Sequence, residues 1–165
     1  QVQCAVQHQP KLEQAPELVT HEIERGDASE AFLPRALEAR EIHRGRQRNA
    51  AYYDRAFGKA GTAAQVVTPS ARPGYRHIYN QYVIRVPDRD KLRAYLGEQG
   101  IGTEIYYPVP LHMQKCFAYL GYKPEDCPES ARAASETLAL PIYPELAEAQ
   151  LQYVVDTIAG FYRTQ

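Results

Sequence analysis

The chain has 165 residues, 44% hydrophobic and 24% charged, a composition that builds one globular unit with a modest core. Its 19 Lys and Arg against 20 Asp and Glu leave a net charge of -1, which offers no electrostatic footprint for nucleic acid or an anionic membrane. No apolar run is long enough to cross a bilayer and residues 1–14 lack the basic-then-apolar order of a signal peptide, so the expected compartment is the cytoplasm.

In chain order, the first fifty residues hold a single aromatic, Phe32, and are rich in Gln, Glu, Arg and Ala, whereas all 13 tyrosines follow Ala51. So little apolar area does not offset the entropy of ordering, and residues 1–29 are expected to be mobile or loosely helical. Residues 36–57 favour helix and place Leu37, Ile42, Tyr53 and Phe57 among many charges, with Gly45 as a weak point. Gly58 and Gly61 suit its end, and Pro69, Pro73 and Gly74 mark an irregular connection.

Residues 77–86, HIYNQYVIRV, alternate with period two and predict a strand, with Ile78, Tyr82, Ile84 and Val86 on one face. Asp88 is placed to cap a helix carrying Leu92, Tyr95 and Leu96, which Gly100 ends. Residues 103–107 predict a second short strand, stopped by Pro108 and Pro110. A helical turn is expected over 114–120, a helix over 129–138 and a third strand over 138–143. Pro144 fits the first turn of a last helix whose Leu151, Val154, Val155, Ile158 and Tyr162 follow the 3.6-residue repeat. The expected fold class is α/β: a short mixed or antiparallel sheet covered by helices and preceded by a helical N-terminal segment.

The most suggestive chemistry lies in residues 102–114, GTEIYYPVPLHMQ, where a proline-restricted loop offers Tyr107 and His112 to a polar ligand such as a sugar or phosphate. Taken on their residues alone, the balance favours two half-buried strand tyrosines and a His112 that caps a loop carbonyl. His77, Tyr79 and Asn80 form a second polar cluster, but strand alternation sends Tyr79 and Asn80 to opposite faces, which favours a structural role for at least one of them.

Cys4, Cys116 and Cys127 lack a C-x-x-C pair and read as free thiols, and Cys116 and Cys127 with His112 are irregularly spaced for zinc. Neither G-x-S-x-G nor the phosphate loops G-x-G-x-x-G and G-x-x-x-x-G-K occurs, so hydrolase chemistry and nucleotide binding by those routes are not expected. Glu104, Glu125, Asp126 and Glu129 read as solvated charges.

Three stretches, HIYNQYVIRV, RDKLRAYLGEQGIGTEIYYPVPLHMQ and LALPIYPELAEAQLQYVVDTIAGFY, resemble in order and spacing the C-terminal region of the DegT/DnrJ/StrS sugar aminotransferases. The resemblance runs from Arg46 to the end. It implies the small domain of a pyridoxal-phosphate fold type I enzyme (residues 46–165), preceded by a poorly family-like segment (1–45). Such enzymes are homodimers that move an amino group from glutamate or glutamine to a nucleotide-linked keto-sugar. The resemblance makes His112 and Tyr107 the expected substrate contacts and no residue catalytic.

The family's Schiff-base lysine follows a small hydroxyl residue and precedes a G-D-G-G-like run, a context that Lys11, Lys59, Lys91, Lys115 and Lys123 all lack. The expectation is therefore a fragment that transaminates only with the missing large domain and binds no pyridoxal 5'-phosphate alone. The weak likeness of residues 1–44 implies a truncated, frameshifted or misassembled frame. The competing expectation is a non-catalytic module that binds a sugar nucleotide or a partner.

Overall fold

The computed structural model describes residues 27–164, with side chains from residue 39 onward. The expectations for Cys4, for Lys11 and for residues 1–26 lie outside that range, as does the side chain of Leu37. Two units partition the chain: Gln1–Leu37, of which the description covers only the first turns of a helix, and the compact unit Glu38–Gln165.

Helix α1 spans Asp27–Lys59, ending close to where Gly58 predicts but beginning well before residue 36. Its inward face carries Ala50, Tyr53 and Phe57, spaced three and four apart and fully or almost fully buried. Gly45 does more than weaken the helix. A Cβ there would sit 2.6 Å from Pro144 Cβ, so the glycine lets the loop before the last helix press against the α1 backbone.

Two further α1 side chains fasten that loop and a third ties α1 to the last helix. Asn49 Nδ2 donates to the Tyr143 carbonyl (2.7 Å), Tyr53 Oη to the Pro141 carbonyl (3.1 Å), and Tyr52 Oη to Gln152 Oε1 (2.8 Å).

The sheet has two antiparallel strands, β1 (Tyr82–Arg85) and β2 (Thr137–Leu140), with Tyr82 opposite Leu140 and Ile84 opposite Leu138. All four of these side chains are buried and face the core, as period-two alternation requires. Single bridges extend the ladder on each side, Val67 to Arg85 and Glu104 to Ala139.

The strand predicted over 77–86 is thus shorter. Tyr79 takes φ 47, its N–H donates to His77 Nδ1 (3.0 Å), and Ile78 stays 41% exposed. A side chain that captures its neighbour's backbone donor competes with the ladder and ends it. The strand predicted over 103–107 reduces to the Glu104 bridge, and the one over 138–143 begins at Thr137 and stops at Leu140.

Helix α2 (Arg89–Glu98) buries Leu92 and Leu96 and leaves Tyr95 partly buried. Asp88 precedes it without a side-chain cap and pairs instead with Lys91 Nζ at 2.8 Å. Gly100 at φ 74 turns the chain, so that the Ile101 N–H closes on the Leu96 carbonyl at 2.9 Å. Three 3₁₀ turns follow, at Leu111–Met113, Lys115–Leu120 and Pro124–Asp126, before α3 (Pro128–Glu136), which starts and ends slightly earlier than predicted.

Helix α4 (Glu148–Arg163) buries Leu151, Val154, Val155 and Ile158 in the predicted stripe, with Tyr162 at its margin. Pro144 lies outside it: the helix starts where the Ala147 N–H donates to Gln150 Oε1 at 3.0 Å, and Pro144 occupies the gap above Gly45. The core joins α1, the sheet, α2 and α4 through Tyr53, Tyr82, Ile84, Leu92, Leu138 and Ile158.

Candidate functional site

The segment leaving the sheet edge is shaped by few bonds. Glu104 and Ala139 exchange backbone hydrogen bonds of 3.2 and 2.8 Å, Glu104 Oε1 accepts the Ile105 N–H at 2.9 Å, and Arg93 lies 3.6 Å from the same oxygen. Beyond Ile105 the chain projects outward until the Met113 N–H closes on the Pro110 carbonyl at 2.9 Å.

Tyr107 is 74% exposed and Tyr106 44%, which corrects the half-buried strand reading of both. Without a partner strand, alternation has nothing to bury them against. Their rings meet edge to face, centroids 6.1 Å apart.

His112 is half-buried and makes no carbonyl cap. Its ring stands perpendicular to Tyr122, centroids 6.3 Å apart, and its Nε2 is shielded from solvent without a hydrogen-bond partner among the described residues. A polar atom shielded in this way costs about 1–3 kcal/mol unless something satisfies it. Tyr107 and His112 thus share one outward loop, but their rings pair with different neighbours and no hydrogen bond joins them.

A cleft of about 760 Å3 has Tyr106 in its lining. Residues 100–104 and 139–143 line it together with Gln150 and Tyr153; neither His112 nor Tyr107 does. Two of its polar side chains are committed: Gln150 caps α4 and Tyr153 Oη donates to the Gln99 carbonyl at 3.1 Å. Gln150 and Tyr153, three apart on the face of α4 beside its buried stripe, escaped the sequence reading because periodicity marks only the apolar side.

The second polar cluster is structural, as expected for at least part of it. Gln47 Nε2 donates to the His77 carbonyl (2.7 Å), Arg46 Nη1 to Asn80 Oδ1 (3.1 Å), and the His77 and Tyr79 rings lie 4.2 Å apart. Partial burial, and secondarily the nearby Asp54, raise the Tyr79 phenol above its ordinary value. Cys116 and Cys127 are free thiols, and no three His, Cys, Asp or Glu side chains converge as a metal set among the described residues. No helix among them is long and apolar enough to cross a membrane.

This architecture, a small antiparallel sheet backed by helices with a proline-rich loop at its edge, is that of the small domain of fold type I sugar aminotransferases. S. venezuelae DesV, solved with a ketimine intermediate, superposes with a TM-score of 0.72 at 25% identity over 79% of this chain and 34% of its own. A DegT DnrJ EryC1 StrS aminotransferase from Brucella abortus superposes with a TM-score of 0.62 at 35% identity, covering 73% of this chain and 31% of that one.

The chain belongs to the DegT/DnrJ/EryC1/StrS aminotransferase family, whose model matches residues 32–159. The match begins upstream of Arg46, so part of the segment first read as unlike the family belongs to it. A pleiotropic regulatory protein of Geobacillus stearothermophilus is 52% identical over 118 residues, 72% of this chain and 32% of the relative. The UDP-N-acetyl-3-dehydro-alpha-D-glucosamine 3-aminotransferase of Acidithiobacillus ferrooxidans is 37% identical over 114 residues, 69% of this chain and 29% of the relative. The chain thus spans about a third of the length of these curated relatives.

Enzymes of this family use pyridoxal phosphate, and the four described lysines do not fit the Schiff-base role. Lys59, Lys91, Lys115 and Lys123 are exposed, none lines the large cleft, and Lys91 is engaged by Asp88. A Schiff-base lysine is commonly held in a desolvated pocket, whereas all four of these lysines are exposed.

Proposed function

We propose that residues 46–165 are the small domain of a pyridoxal-phosphate-dependent aminotransferase that moves an amino group from glutamate or glutamine to a nucleotide-linked keto-sugar, and that this chain does not transaminate alone. The carrying observation is the pairing of a family fold with lysines that all face solvent among the described residues. The carbanion chemistry belongs to the cofactor and to a lysine-bearing domain; this chain contributes substrate contacts and closure.

Within that reading His112 and Tyr107 contact the substrate. Support comes from the unsatisfied Nε2 of His112 and from a Tyr107 phenol that the fold leaves outside its core. The loop also exposes Tyr106, Val109, Leu111, Tyr119 and Tyr122, an apolar area that a lysine-bearing domain or a second subunit of a homodimer would cover. The setting is a cytoplasmic biosynthetic one. The same apolar area favours the second reading, a non-catalytic module that binds a partner or a sugar nucleotide.

The test is a chimera in which residues 46–165 replace the matching part of the A. ferrooxidans 3-aminotransferase. The expected result is turnover by the chimera, none by the free chain, and a loss of at least about tenfold in kcat/KM, roughly 1.4 kcal/mol, on His112→Ala or Tyr107→Ala. Turnover by the free chain, or a chimera indifferent to both substitutions, refutes the proposal.

A further inference from the structure

Between Tyr106 and Asp126 the backbone hydrogen bonds are local. The Met113 N–H donates to the Pro110 carbonyl at 2.9 Å, that of Gln114 to Leu111 at 3.2 Å, that of Phe117 to Gln114 at 2.9 Å, that of Gly121 to Ala118 at 3.2 Å and that of Asp126 to Lys123 at 3.1 Å. Among the described residues none of them crosses to the sheet or to a helix of the core. The core thus fixes where this segment leaves and returns, while the aim of each side chain along it is set within the segment.

His112 is where that matters. The two nitrogens of an imidazole are chemically distinct, and its outer torsion is broad unless packing restricts it. Here no hydrogen bond orients the ring among the described residues, and Nε2 is shielded without a partner. The ring that packs on it is that of Tyr122, with planes 89° apart and centroids 6.3 Å apart, inside the range that edge-to-face pairs prefer.

Tyr122 is itself held from both sides. Gly121 takes φ 72 where it ends the 3₁₀ turn Lys115–Leu120, a conformation that reverses the chain and strains any residue with a Cβ. On the other side the Lys123 N–H donates to Asp126 Oδ2 at 2.7 Å, closing the next turn. The backbone around Tyr122 is therefore fixed although its side chain stays 52% exposed and adds little to the core. We propose that Tyr122 is a positioning residue, whose ring sets the orientation of the His112 imidazole and with it the direction in which Nε2 meets the substrate. This role rests on the reading of His112 as a substrate contact and adds the residue that acts through it.

Two measurements test it. In the whole chain, the His112 ring protons are followed by NMR, their signals assigned by their loss in His112→Ala. Tyr122→Leu removes the neighbouring ring current and is expected to move these signals, whereas Tyr122→Phe keeps them near the parent positions. In the chimera described above, Tyr122→Leu is expected to lower kcat/KM about fivefold, and Tyr122→Phe to recover most of that loss. Once His112 is alanine, Tyr122→Leu is expected to cost nothing more, because a residue that acts through another has no effect in its absence; a merely structural tyrosine would give additive losses. Additive losses, or His112 signals that Tyr122→Leu leaves in place, overturn the positioning role and leave the substrate-contact reading standing. A chimera indifferent to His112→Ala overturns both.

Discussion

Replacing Tyr53 by alanine is expected to remove about 3–5 kcal/mol of stability, the cost of deleting a large aromatic from a packed core. The ring is fully buried, 5.0 Å from the Tyr82 centroid and 6.0 Å from that of Phe57, and it joins α1 to the sheet. Its hydroxyl also donates to the Pro141 carbonyl at 3.1 Å, which ties α1 to the chain leaving β2. Tyr53→Phe keeps the ring and loses only that bond, about 1 kcal/mol. Against a total of roughly 5–15 kcal/mol for an ordinary domain, the first change threatens folding and the second does not. Urea unfolding followed by circular dichroism separates them; an alanine variant within about 1 kcal/mol of the parent is incompatible with this core.

Alkali is expected to destabilise the protein by several kcal/mol. Burial is the main cause that lifts the Tyr53 phenol beyond its ordinary range, helped by Tyr143. Tyr82 is lifted too, first by burial and then by donating its proton to the Asp54 carboxylate at 2.6 Å. Tyr162 is pushed up to about 12, again chiefly by burial with Asp88 nearby.

The direction of the effect follows from the unfolded chain, where a phenol ionises near pH ~10. Below that pH the stabilising contribution of these neutral phenols is fully present. Above it the unfolded state releases protons that the folded state retains, so stability falls until the folded values are reached. Each phenol contributes a slope approaching about 1.4 kcal/mol per pH unit, and the two core tyrosines together give a loss of about 3 kcal/mol by pH ~11. The urea midpoint at pH ~8 and ~11 measures it; Tyr162 adds a similar amount by pH ~11, so Tyr82→Phe should remove about a third of the total fall. A midpoint that does not move between those conditions contradicts the burial of both hydroxyls.

Periodicity made the helices legible. The stripe of Leu151, Val154, Val155 and Ile158 and the pair Leu92 and Leu96 lie where a 3.6-residue repeat puts them. Strand length was less visible, because a strand needs a partner as well as a pattern. Residues 77–81 carry the right alternation, yet His77 diverts the Tyr79 N–H, and residues 103–107 find only Ala139 to pair with. Pro144 has the residue type of a helix start, but its place follows from a contact with Gly45, 99 residues earlier in sequence. Nothing local encodes that contact.

The site was legible in a different way. The prolines around Tyr107 and the order of the family-like stretches pointed to residues 102–114, a segment the fold leaves with only the Glu104 bridge to the sheet. Exposure of Tyr107 and the shielded Nε2 of His112 depend on which strands fail to form, and that is a tertiary outcome.

The proposal turns on the exposure of every described lysine, which leaves no housed amine among them for the aldehyde cofactor. Incubating the chain with pyridoxal 5'-phosphate, reducing with borohydride and mapping the peptides by mass spectrometry examines every lysine at once. The predicted outcome is scattered, substoichiometric labelling with no visible-edge absorbance before reduction. One lysine labelled to completion, with that absorbance present beforehand, would contradict it.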